Sequence, residues 1–486
     1  MRRLLPFLAL SLLVACTPAA DVTQQPVDDP AIARVLSSLR PRIVVKGADS
    51  VVYTLADRMT HYRVPGVSIA VVDSGRLVWA RGIGLKEMGT TDSVTPTTLF
   101  QAASISKPVA ATAMLQLVDE GKLALDVPVN EYLKSWKLPD NKFTKEAPVT
   151  LRRIVSHSAG LTVHGFPGYA ITDSIPTVVQ VLDGAKPANT APVRVDTTPG
   201  AIMRYSGGGT TIEQLIMTDV TGETFPALMK RLVLDPIGMS NSGYDQPLPL
   251  AKRGDAAAGY RRDGTMVEGR WHVYPEMAAA GLWTTPTDLM RWSMEIAAAR
   301  AGRSAILKQE TAKEMLTIQT APVGLGPFLA GSGDGFNFGH GGANEGYRAE
   351  VIYFPELGRG AAVMTNSDAG SPLAGEILLA LAAEYHWTGY GPHEVASITL
   401  DTMAIDRHVG VFAARAPDSA RVIVTRVGRK VFMEAARFMP KTEVVFVEPH
   451  KVVSLESGME GSFVVNRRGT VTGLEIGGMT LTRRRH

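Results

Sequence analysis

A mixed α/β body followed by a small all-β domain is the fold class this sequence predicts, and three observations predict it. Strand-like runs stand at both ends of a long first segment, 67–73 (VSIAVVD) and 77–82 (LVWARG) early, 349–354 (AEVIYF) and 360–366 (GAAVMTN) late. Between them lie apolar residues at helical spacing, bounded by capping and stop residues. Beyond about residue 395 the pattern changes to short alternating strands separated by turns. Early and late strands therefore gather into one antiparallel sheet flanked by helices, an α+β arrangement with a helical insertion, and the C-terminal part forms its own unit.

The amino terminus comes first. Met1-Arg2-Arg3 is basic, residues 4–15 are apolar but too short to span a bilayer, and Leu13-Val14-Ala15 leads into Cys16. Residues 1–15 read as a signal peptide and resemble a bacterial lipoprotein signal, which implies acylation of the Cys16 thiol. With Cys16 the only cysteine, no internal disulfide forms. Residues 16–45 read as the lipidated cysteine and a flexible tether, and the stretch 17–30 (TPAADVTQQPVDDP) has the polar, proline-containing composition of one. The expected location is the bacterial periplasm, lipid-anchored to the membrane. Thr17, rather than aspartate, after the cysteine resembles the outer-membrane pattern.

Residues 46–392 read as the main domain. Its first hairpin turns at Ser74-Gly75. The stretch 100–107 (FQAASISK) then sets Ser104 three residues before Lys107 at a helix start. Val109, Met114, Leu117 and Val118 continue the helical spacing to a stop at Gly121, and Pro108 fits the first turn. A serine hydroxyl is a weak nucleophile, and a lysine amine on the same helical face supplies the base that activates it. Further on, Pro199-Gly200 precedes Arg204 to Gly209 (RYSGGG), where Tyr205 is a second candidate base and the glycines allow close backbone approach. The third segment, 339–348 (GHGGANEGYR), puts His340, Gly341 and Gly342 at the rim of a site.

In this order, the serine–lysine pair, Tyr-Ser-Gly and His-Gly-Gly resemble the three active-site elements of the penicillin-recognising serine hydrolases, most closely the class C β-lactamase and esterase branch. The phrases at 151–169 (LRRIVSHSAGLTVHGFPGY), 234–244 (LDPIGMSNSGY) and 278–292 (AAAGLWTTPTDLMRW) extend the likeness over about residues 50–390. Each also has a structural reading: Thr285 to Asp288 caps a helix, and Ser156 to Leu161 is a helix end running into a turn. His157 reads as a hydrogen-bonded organiser of its loop rather than a catalytic group.

The resemblance implies a β-lactamase-like sandwich and an acyl-enzyme formed on Ser104, with Lys107 and Tyr205 sharing the proton transfers. It also implies an oxyanion hole built from the backbone N–H groups of Ser104 and Ala343, with His340, Gly341 and Gly342 beside the substrate. Which of Lys107 and Tyr205 is the base stays open. Two departures bear on substrate. His340-Gly341-Gly342 stands where many relatives have Lys-Thr-Gly or Lys-Ser-Gly, and Tyr205-Ser206-Gly207 where the class C pattern has Tyr-x-Asn. The lysine and hydroxyl help hold substrate carboxylates, so an esterase on small or glycan-linked esters is expected. D,D-peptidase, D-aminopeptidase or β-lactamase chemistry is the alternative, and Arg348 is a candidate substitute cation. Some relatives are binding proteins, but those tend to lose catalytic groups that are present here.

Residues 395–486 read as a β-barrel-like domain of seven strands: RVIVTRV, KVFMEA, EVVFVEP, KVVSLES, GSFVVNR, TVTGLEI and MTLTRR. Over the whole 486 residues, 45% hydrophobic content gives ample core, and a net charge of +3 points away from nucleic acid as a partner. None of the ten histidines has metal-ligand spacing. No metal or cofactor is expected; the expected partners are a small-molecule or cell-envelope substrate and the membrane, through Cys16.

Overall fold

The computed structural model describes residues 29–49, 51–414, 421–435 and 439–484. The signal segment and Cys16 lie outside the described residues. Part of the expected tether does not. Helix α1 (Pro30–Leu36) and strand β1 (Ile43–Val45) are built from residues inside the 16–45 stretch. Asp29 caps α1, and Ile32, Val35 and Leu39 are buried in the main body. The polar stretch that suggested a tether ends where these apolar residues begin, and burying them outweighs the entropy that keeps a linker loose.

Helix α2 (Leu55–Tyr62) leads into β2 (Gly66–Asp73) and β3 (Arg76–Gly84), joined at Ser74-Gly75, both with positive φ, as a two-residue hairpin turn requires. The short β4 (Phe100–Gln101) precedes helix α3 (Ser106–Asp119), which ends at Gly121 with φ 73°. Helices α4 (Leu151–Val155) and α5 (Gly207–Thr221) belong to the helical region. Next come α6 (Met277–Ala280), β5 (Trp283–Thr284), which pairs with β4, and α7 (Pro286–Arg300), capped by Thr285 with Pro286 at its first position. Strands β6 (Phe328–Ala330), β7 (Asn337–Asn344), β8 (Tyr347–Phe354) and β9 (Arg359–Thr365) and helix α8 (Gly370–Glu384) complete the main body.

The central sheet is antiparallel, in the order β3-β2-β9-β8-β7-β6. Early strands β2 and β3 thus pair with the late strands through β9, as the sequence pattern predicted. Alternate residues separate two cores. Ile69, Val71, Ala361 and Val363 pack with α1, α2 and α8, while Ala70, Val72, Ala362 and Met364 pack with α3 and α7.

Strand β10 (His393–Val395) pairs in parallel with β1 and leads to the C-terminal unit. There β11 (Gly410–Ala413), β12 (Arg421–Val427), β13 (Lys430–Ala435), β14 (Met439–Glu448), β15 (Lys451–Ser454), β16 (Glu460–Val465), β17 (Val471–Ile476) and β18 (Met479–Arg483) form a closed barrel. The strand beyond the seven expected is β11, which joins β12 to β18 and removes both open edges. Glu456 of the barrel accepts from Arg58 at 2.9 Å, and Arg58 also grips the buried Glu376 of α8. The barrel thus docks on α2 and α8, across the sheet from α3 and Ser104.

Candidate active site

Ser104 lies not in the α-helix itself but in a single 3-10 turn, Ala103–Ile105, that feeds α3. Ala103 is held at φ 51°, a region that costs a non-glycine residue about 1–3 kcal/mol and persists only where the surroundings enforce it. They do so here. Ser106 Oγ donates to the Ala103 carbonyl at 2.5 Å and accepts from Leu282 N–H at 3.0 Å, while Ala102 N–H donates to the Leu282 carbonyl at 2.8 Å. The Tyr244 hydroxyl donates to the Ser106 carbonyl at 2.9 Å.

Lys107, at the second position of α3, points its amine back over this turn. Its Nζ lies 3.0 Å from Ser104 Oγ and 2.8 Å from the Ala279 carbonyl of α6, and the side chain is only 4% exposed. Its third neighbour is Tyr205, whose ring centroid is 5.0 Å from Nζ. The three residues expected to act together are therefore brought together by α3, the residue before the Ser206 cap of α5, and α6.

Tyr205 is fixed by its neighbours along the chain. His157, only 3% exposed, packs at a tilt against the Tyr205 ring, with the centroids 4.2 Å apart. Its carbonyl accepts from Arg204 N–H at 2.6 Å and its Nδ1 from Ser206 N–H at 3.3 Å. Nδ1 as acceptor puts the proton on Nε2. Burial, and then the nearby Lys107 charge, hold His157 well below its ordinary pKa, so it stays neutral. The organiser role read from the sequence fits this arrangement, although the motif gave no sign that Tyr205 is what it organises.

Strand β7 supplies the opposite wall. The edge strand β6 pairs only as far as Gly339, so the outer edge of 340–344 is left to the site. A Cβ on Gly342 would stand 2.2 Å from the Ala102 carbonyl oxygen; only glycine lets β7 close against the Ser104 turn. His340 is 4% exposed, with Nδ1 2.6 Å from the Gly341 carbonyl, to which it donates. Its Nε2 is therefore an acceptor and has no partner among the described residues. Burial, then the Lys107 charge, pushes its pKa down to about 3. Phe328 of β6 packs on His340 at 4.9 Å and lies parallel to Tyr205 at 6.4 Å. Asn344 ties β7 to Gln101 at 2.8 Å and to the Ala280 carbonyl at 3.0 Å.

The cation read as a possible substitute, Arg348, is already committed. It donates to the carbonyls of Asn344 and Tyr347, each at 2.7 Å, and to Asp368 at 2.9 Å. Beneath the site lies a group the sequence did not single out: Glu213 of α5, 1% exposed, with Oε1 unpartnered among the described residues. Burial pushes its carboxyl up to about 8 against the opposing influence of Lys107. Among the described residues no group of His, Cys, Asp and Glu could hold a metal ion.

A serine within hydrogen-bond reach of a buried lysine, beside a held tyrosine and a strand edge, is the arrangement of a serine hydrolase. Residues 53–384 match the Beta-lactamase family model, and the chain belongs to that family. Among curated relatives it is 26% identical to a D-aminopeptidase of Brucella anthropi over 64% of this chain and 58% of that one. It is 26% identical to penicillin-binding protein 4 of Amycolatopsis lactamdurans over 67% and 87%. With esterase EstB of Burkholderia gladioli it shares 29% over 37% and 47%. The chain thus spans 58% of the length of the first of these and under half of the esterase. The octameric penicillin-binding protein homologue from Pyrococcus abyssi has a similar fold, with a TM-score of 0.60 at 22% identity over 88% of this chain and 98% of that one.

Proposed function

We propose that this serine hydrolase is a carboxylesterase working through an acyl-enzyme on Ser104. Whichever of Lys107 and Tyr205 stands deprotonated takes the hydroxyl proton as Ser104 Oγ attacks the ester carbonyl, and the oxyanion develops against the backbone N–H groups of Ser104 and Ala343. Tyr205 and Lys107 then return a proton to the leaving alkoxide and activate the water that releases the acid. The observation that carries the ester preference is the state of the third motif. His340 remains neutral down to about pH 3, and Arg348 is bound to Asp368, so neither is a free cation for a substrate carboxylate. Amide hydrolysis on D-amino-acid compounds is the second reading, favoured by the D-aminopeptidase similarity.

The deciding experiment compares kcat/KM for a short-chain aryl ester, a D-amino-acid anilide and a chromogenic cephalosporin, with Ser104→Ala as control. The ester should lead by more than about a hundredfold and vanish in the control. Faster turnover of the anilide or the cephalosporin overturns the ester assignment. We further propose a lipid-anchored periplasmic location through Cys16; a Cys16→Ser chain should leave the membrane fraction, and one that stays with it refutes the anchor.

A further inference from the structure

Away from Ser104, two cavities adjoin where α2 meets β3 and the barrel. The first is an open groove of about 730 Å³ whose lining includes Leu36, Leu55, Met59, Pro65, Ile83 and Met88. That volume is within the range of ligand pockets, about 300–1,000 Å³, and Met88 is 46% exposed at its rim. The second, of about 380 Å³, is lined by Arg63, Arg262 and Lys441, with Glu434 as the carboxylate in the lining. Two links join them. Arg63, the left-handed cap at the end of α2, lines both cavities, and the loop after Tyr260 gives Arg262 to one and Gly264 to the other.

Among the described residues, no carboxylate forms an ion pair with Arg63, Arg262 or Lys441 of the basic cavity. The Asp368 carboxylate is bound to Arg348, leaving Arg262 the Asp368 backbone carbonyl at 3.2 Å. Burial, then repulsion from Arg348, lowers the Arg262 pKa against the opposing attraction of Asp368. His61, on the same rim, already faces Glu456 at 3.0 Å. Among the described residues, three cations against one carboxylate, beside a strip of apolar side chains, complement a molecule with an anionic head and a hydrocarbon tail.

We propose that the groove and the basic cavity form one site for a fatty-acid carboxylate, its chain along Leu55, Met59 and Ile83 and its head at Arg63 and Arg262. The site is separate from Ser104 and does not depend on the ester assignment. Calorimetric titration of the full chain with decanoate, 1-decanol and inorganic phosphate tests it. Decanoate should bind one per chain, and the alcohol and the phosphate should each bind at least tenfold more weakly. Arg63→Gln and Met88→Asp, both at exposed positions, should each weaken decanoate at least tenfold and leave short-chain ester turnover unchanged. Prior labelling of Ser104 with a serine-directed phosphonate should not alter binding. Equal binding of decanol reduces the site to a greasy groove, and equal binding of phosphate reduces it to an anion site; either overturns the proposal. So does no binding, binding indifferent to both substitutions, or binding abolished by the phosphonate, which would place the ligand in the catalytic cleft.

Discussion

His157 holds Tyr205 from both sides of the chain: its carbonyl takes the N–H of Arg204, its Nδ1 takes the N–H of Ser206, and its ring packs at a tilt, 4.2 Å between centroids, against the tyrosine between them. The residue sits at φ 55°, and burial keeps it neutral, so it acts as a fixed clamp rather than a proton carrier.

His157→Ala should therefore lower kcat by about tenfold to a hundredfold through misplacement of Tyr205, with a smaller change in KM. The acid limb of the pH–rate profile should not shift, because the imidazole removed was not titrating. A displaced acid limb would show that His157 carries a proton in the reaction.

Tyr205→Phe keeps the ring contact with His157 and removes only the hydroxyl. General base assistance is commonly worth about 10²–10⁴-fold, so deacylation should slow by at least about a hundredfold and the acyl-enzyme should accumulate as a mass increment on Ser104. Unchanged turnover would leave Lys107 to act alone.

Gly342→Ala puts a methyl group 2.2 Å from the Ala102 carbonyl position, and the flanking backbone has to move apart. Overpacking of this kind costs about 1–3 kcal/mol. Shifting β7 from the Ser104 turn should also lower kcat by about a hundredfold or more, the typical cost of one oxyanion donor. Melting curves and single-turnover acylation rates measure the two effects; a variant with normal acylation would remove β7 from the oxyanion hole.

Glu213 makes stability depend on pH with a definite sign. Its carboxyl titrates at about 8 in the folded chain and at about 4.3 when unfolded, so the native state holds the proton more tightly. The contribution is fully present below pH 4.3 and is lost as pH rises toward 8, at up to about 1.4 kcal/mol per pH unit. Glu276 and Glu350, both raised to about 7 by burial, act in the same direction. Denaturant unfolding at pH 6 and pH 9 should show a loss of stability in the wild type that is smaller in Glu213→Gln. An equal loss in both would mean that Glu213 does not titrate there.

The amino-acid sequence by itself determined the local elements and the spacing of the candidate reacting groups. The apolar runs of β2, β3, β8 and β9, the Thr285-Pro286 cap and the Gly121 stop are short-range signals, and they fix strands and helices wherever the chain later folds. The spacing of Ser104 and Lys107 belongs to the same class, since one turn of helix is enough to place an amine 3.0 Å from the hydroxyl. Tertiary structure alone decided what those groups face. That His157 clamps Tyr205, that Gly342 must be bare to clear Ala102, that Asp368 occupies Arg348 and that Glu213 is buried near Lys107, its Oε1 without a partner among the described residues, are relations between segments about 20 to 240 residues apart. The same holds for α1, whose Ile32 and Val35 look like part of a linker until the sheet offers a face to bury them, and for β11, four residues that become a strand because β12 and β18 leave an edge to be closed. Burial and electrostatic environment exist only after distant segments meet, which is why the candidate groups were legible in the chain and their surroundings were not.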